Sequence, residues 1–73
     1  MKKYNEIITE LRKSHNYRQK DIAEMLNISQ RAYAHYEKGE SEPNIEALIK
    51  LAEIYKTPID IIVGRYEYPD EKN

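Results

Sequence analysis

Two short helical stretches, each with its own apolar face and joined by about three residues, do most to restrict what this chain can fold into. Ile22, Ala23 and Leu26 recur at helical spacing, and so do Ala32, Tyr33 and Tyr36. Only Asn27-Ile28-Ser29 lies between the two stretches, with Ile28 as the apolar anchor of a tight turn. The second stretch carries its own boundaries. Ser29 suits an N-cap, because its hydroxyl can accept from a first-turn amide. Gly39 suits the position after the last turn, because glycine takes the left-handed conformation there without strain. The residues facing away from its apolar side are Gln30, Arg31, Ala34, His35 and Lys38, a set short of acid and rich in hydrogen-bond donors. Gln and Arg near a helix N-terminus match the donor and acceptor edges of bases in a DNA major groove.

Helical periodicity continues on both sides. Tyr4, Ile7, Ile8 and Leu11 define a first helix, from Tyr4 to about Ser14, which His15-Asn16 ends. Asn16 is the residue expected in the left-handed region. A second helix spans Gln19 to Leu26, with Tyr17 leading in, and Asn27 breaks it. The three residues before the next helix have the length of a helix-turn-helix connection. After Glu40-Ser41-Glu42-Pro43, Asn44 caps a fourth helix, Ile45 to Tyr55, whose spacing turns Ile45, Leu48, Ile49, Ala52 and Tyr55 inward and leaves Leu51 on the flank. Thr57-Pro58 opens a short fifth helix that buries Ile59, Ile62 and Val63 and stops at Gly64. The reading is an all-α fold of five helices over residues 1–64, followed by a tail, 65–73. It has no strand pattern, internal repeat or low-complexity segment.

Composition narrows the function. A chain of 73 residues without cysteine excludes disulfides and thiolate metal sites and fits a reducing cytoplasm. No apolar run approaches the ~20 residues of a membrane span, and no signal peptide is expected. His15 and His35 lie twenty residues apart with no carboxylates paired to them, so neither a metal nor a catalytic site is drawn. His15 reads as a solvated helix-end residue. No enzyme activity and no cofactor are expected. The net charge of −1 conceals an asymmetry: residues 1–20 carry +4, residues 21–39 carry −1 and residues 40–73 carry −4. A one-faced polyanion binder shows this kind of polarity.

The pattern Gln19…Ile22-Ala23…Ile28-Ser29…Tyr36-Glu37…Gly39…Pro43 resembles the lambda-repressor-like helix-turn-helix family, the Cro/C1 or Xre group, over about residues 4–64. The resemblance implies that the second and third helices form the helix-turn-helix and that the third lies in the DNA major groove. It implies base contacts from Gln30, Arg31 and His35, with Ala34 a lesser contributor, and phosphate contacts from Gln19 and Ser29, to which the cations Arg18 and Lys38 are added as candidates from this sequence. Arg12 and Glu37 match a structural pair linking the first helix to the end of the third, which either aims the reading helix or staples the fold. Tyr33 and Tyr36, at core spacing, read as core rather than as base-stacking aromatics.

Two departures from the family pattern stand out. Arg18 occupies a position where relatives carry a Thr or Ser cap, so the cap bond is expected to be lost. The Glu40-Ser41-Glu42 loop replaces the usual cation after the glycine, which predicts modest, salt-sensitive binding or a docking that turns the loop away. The implied function is a sequence-specific transcriptional regulator, a repressor that binds a palindrome as a homodimer. Ile61, Val63, Tyr66 and Tyr68 are the residues for a dimer seam, or else cover the domain's own core. A protein-interaction module, such as a toxin-binding antitoxin, and a restriction-modification controller are the alternatives.

Overall fold

Each turn of the chain is made by a residue whose backbone bends the wrong way for a helix. Asn16, Asn27 and Lys56 have φ of 62°, 61° and 51°, and Gly39 has φ of 78°. These left-handed residues separate five helices in the computed structural model, which describes residues 2–64. They are α1 (Tyr4–Ser14), α2 (Gln19–Leu26), α3 (Gln30–Lys38), α4 (Ile45–Tyr55) and α5 (Ile59–Ile62). The described residues contain no strand. None of the helices is long and apolar enough to cross a membrane.

The caps follow the side chains. Ser29 Oγ accepts from the Ala32 amide at 3.0 Å, and Asn44 Oδ1 accepts from the Ala47 amide at 2.8 Å. Both bonds satisfy amides that the first helical turn leaves open. At the far end of α3, the Gly39 amide donates to the Tyr36 carbonyl at 3.1 Å and the Glu40 amide to the His35 carbonyl at 2.9 Å. This is a Schellman closure, and it needs the positive φ that glycine takes freely.

One core joins the helices. Ile8 of α1, Ile22, Ala23 and Leu26 of α2, Tyr33 of α3, Leu51 and Tyr55 of α4, and Ile62 of α5 are buried together. Helix α3 packs on both α1 and α2, while α4 closes the far side against α2 and α5. Tyr33 is fully buried, and Tyr36 packs partly buried against the same cluster, as core spacing predicts.

The inward face of α4 is rotated from the expected one. Leu51 is fully buried and Ala47 nearly so, whereas Ile45 is 73% exposed and Ile49 42% exposed. Leu48, Ala52 and Tyr55 pack on the core as expected, and the exposed stripe of Glu46, Lys50 and Glu53, at i, i+4 and i+7, turns the opposite face, which bears Leu51, onto α2 and α5. Likewise Ile59 of α5 is exposed rather than inward, while Ile62 is fully buried and Val63 half-buried. Ile61 is exposed; Tyr66, Tyr68 and the whole tail lie outside the described residues.

Candidate nucleic-acid interface

Helix α3 turns Tyr33 inward, which fixes the direction of every other side chain on it. Gln30, Arg31 and Lys38 are exposed; Ala34 and His35 are half-buried. Gln30, Arg31, Ala34 and His35 follow one another at i, i+1, i+4 and i+5, along one outward strip of the helix. Ser29 lies at its N-terminal end, where the helix dipole and open amides favour an anion.

The helix is held by a polar junction beneath this strip. Glu37 Oε2 accepts from Arg12 Nε at 2.7 Å and from the Tyr33 hydroxyl at 2.6 Å. Its other oxygen, Oε1, accepts from Arg12 Nη2 at 3.1 Å and from Gln19 Nε2 at 3.0 Å. Arg12 Nη1 also donates to the Tyr17 carbonyl at 3.0 Å. The Arg12 and Glu37 side chains are only 13% and 6% exposed. Burial alone pushes the Glu37 carboxyl upward, but the bonds from Arg12, Tyr33 and Gln19 outweigh it and hold the group below the ordinary carboxylate range. Burial, and then the bond to Glu37, raise the Tyr33 phenol far above its ordinary value.

The expected Arg12–Glu37 pair is thus the centre of a four-residue constellation joining α1, α2 and α3. Gln19 and Tyr33 were not anticipated in it. The signal for Tyr33 was its place four residues before Glu37, one helical turn away on the same face. For Gln19 there was none, because its partner lies on a different helix. Having placed one amide hydrogen on Glu37, Gln19 keeps a second for another acceptor.

The cap bond is lost at Arg18, as expected. No side-chain oxygen caps α2, yet the Arg18 amide is bonded by Asp21 Oδ2 at 2.8 Å, so half of a capping box survives. That backbone bond, reinforced by the Arg18 guanidinium, lowers the Asp21 carboxyl below its usual range. The Arg18 side chain is 75% exposed and lies beside Asp21 at 3.4 Å. The basic charge of the first twenty residues is also partly neutralised internally. Lys2 pairs with Glu10 at 2.8 Å, Arg12 with Glu37 and Arg18 with Asp21.

The acidic loop after α3 is anchored. Tyr4 donates its hydroxyl to the Ser41 carbonyl at 2.8 Å, and Asn5 Nδ2 reaches the Glu37 carbonyl at 3.5 Å. Glu40 bonds His35 through its side chain, Oε1 to Nδ1. Glu42 faces Tyr4, where its charge adds to burial in raising the phenol. Among the described residues, no group of three or more His, Asp or Glu side chains is arranged to hold a metal ion.

A family model described as helix-turn-helix matches residues 8–62. The chain is 41% identical over 58 residues to the HTH-type transcriptional regulator AnsR of Bacillus subtilis, with 80% of this chain and 50% of AnsR covered. It therefore spans half the length of that relative. A crystal structure of a transcriptional regulator from Listeria innocua superposes with a TM-score of 0.82 at 40% identity, covering 85% of this chain and 58% of that one. The P22 c2 repressor, crystallised in complex with a synthetic operator, superposes with a TM-score of 0.82 at 28% identity, covering 89% of this chain and 98% of the chain in that crystal structure.

Proposed function

This chain belongs to the helix-turn-helix family of Cro/C1, lambda-repressor-like type, and from that membership we propose that it is a sequence-specific DNA-binding transcriptional regulator. The observation that carries the reading is the strip of Gln30, Arg31, Ala34 and His35, presented on a helix closed at both ends and tied to α1 and α2 through Glu37. Gln30 suits adenine and Arg31 suits guanine, since each side chain can bond bidentately to its base edge. Ser29 accepts from Ala32 and keeps its hydroxyl hydrogen for a phosphate, and Gln19 offers its second amide hydrogen in the same way. Arg18 and Lys38 are exposed cations that complete the phosphate contacts. These contacts set register, while the strip reads sequence.

One such unit reads few base pairs, so the proposed working form is a homodimer on a palindrome with half-sites about 34 Å apart. Ile61 is the centre of the proposed seam, with Ile59, exposed on the same short helix, beside it. Repression follows from occupancy: a bound dimer excludes polymerase. The operator complex of the P22 c2 repressor, which shares the fold, supports this reading.

The test is selection of bound duplexes from a random pool at two salt concentrations, with the 73-residue chain and its Arg31→Ala variant. A palindrome is expected, with Arg31→Ala weakening binding and relaxing one position in each half-site. Recovery of nothing above background at low salt rejects the reading and directs the search to a protein partner, such as a toxin.

A further inference from the structure

Glu40 and His35 are joined twice. The Glu40 amide donates to the His35 carbonyl at 2.9 Å, as part of the closure at Gly39, and the Glu40 carboxylate meets His35 Nδ1. The left-handed Gly39 turns the chain back over the end of α3 and so brings the Glu40 side chain onto the imidazole. Tyr4, bonded to the next carbonyl, keeps the loop there. Both side chains remain open to solvent, His35 at 41% and Glu40 at 55% exposure. His35 sits one turn beyond Arg31 on the outward strip.

A carboxylate can only accept, so the hydrogen of this contact resides on Nδ1. In the neutral imidazole the other nitrogen, Nε2, is then an acceptor, and it is the ring atom left for a base edge. Acceptors in the major groove pair with the exocyclic amines of adenine and cytosine, the donor groups presented there. We propose that Glu40 is a positioning residue for sequence reading: it fixes the tautomer and orientation of His35, so that Nε2 of the neutral imidazole selects adenine or cytosine at one position of each half-site. The inference rests on the proposed DNA-reading function. On this view Glu40 lowers affinity for every duplex through its charge and sharpens the choice among them.

The experiment repeats the duplex selection, at mildly alkaline pH to keep the imidazole neutral, with His35→Ala, Glu40→Ala and Glu40→Gln. His35→Ala identifies the position, where the unsubstituted chain is expected to hold adenine or cytosine. Glu40→Ala is expected to raise binding to all duplexes and to flatten that position by about fivefold, within the range of a base-edge contact. Glu40→Gln loses the same charge but keeps an accepting oxygen, so general binding rises while the preference is retained. Positions read by Gln30 and Arg31 stay sharp in every variant, which confirms an intact helix. The proposal is overturned if Glu40→Ala leaves the preference unchanged, if both Glu40 variants flatten it alike, or if the His35 position holds guanine or thymine. Failure of the unsubstituted chain to select any sequence overturns the DNA-reading function as well, whereas a sharp operator indifferent to Glu40 overturns only this inference.

Discussion

At the scale of single residues, Glu37 carries the largest energetic consequence. Its carboxylate is buried and bonded by Arg12, Gln19 and Tyr33, so Glu37→Ala leaves the Arg12 guanidinium buried without its counter-charge. The expected cost is about 3 kcal/mol, a large part of the stability of a domain this small, and the shift of the urea midpoint measures it. The folded carboxyl lies below the ordinary value of 4.5. Its contribution is therefore fully present above pH 4.5 and is lost as pH falls through the lower folded value. Tyrosine gives a second contrast. Tyr33→Phe removes a bond to a charged acceptor and is expected to cost about 2 kcal/mol. Tyr55 carries a buried hydroxyl with no hydrogen-bond partner among the described residues, and Tyr55→Phe is expected to change stability by less than about 0.5 kcal/mol or to raise it. Burial raises both phenols above their ordinary 10.0, so the chain should lose stability as pH rises beyond that value, and each Phe variant should lose less.

At the scale of elements, α2 and α3 begin differently, and the difference is testable. Helix α3 has the Ser29 cap, whereas α2 starts at Arg18 with only the Asp21 half of a capping box. Arg18→Thr is expected to stabilise the fold by about 1 kcal/mol. The same substitution removes a proposed phosphate contact, so the slope of log affinity against log salt should become shallower by about 1. Urea unfolding and a salt titration of DNA binding read the two effects separately. An unchanged slope would exclude Arg18 from the phosphate contacts.

At the scale of the whole molecule, four of the exposed large apolar residues, Ile45, Ile49, Ile59 and Ile61, lie on α4 and α5 and another, Met25, on α2, with none among the described residues on α3. Ile61→Lys leaves the buried Ile62 untouched. It is expected to weaken binding to a palindromic duplex by tenfold or more while leaving binding to an isolated half-site unchanged, because it acts on the proposed seam and not on the reader. Gel shift with the two duplexes, together with sedimentation of the free protein, decides it. The two ends of the described chain also meet: Gly64, with φ of 77°, packs against the Lys2 carbonyl with no room for a Cβ.

The five helices, their breaks and the outward strip of α3 were legible in the sequence because they rest on short-range physics. A helical face repeats within seven residues, a cap acts within three, and Asn16, Asn27 and Gly39 take the left-handed backbone for local steric reasons. The buried stripe of α4 was read only in part: Leu48, Ala52 and Tyr55 pack on the core as expected, but Leu51 takes the inward place given to Ile45 and Ile49, a rotation that the exposed stripe of Glu46, Lys50 and Glu53 marks in the sequence itself. Spacing could not show that Gln19 of α2 and Tyr33 of α3 complete the Arg12–Glu37 pair, or that Glu40 lies on His35 rather than standing as a free charge in its loop. Those contacts need three helices to cross at set angles and a chain reversal at Gly39. Local preference determined the elements of this protein and the strip it presents; packing between elements decided which polar groups are held together and how that strip is aimed.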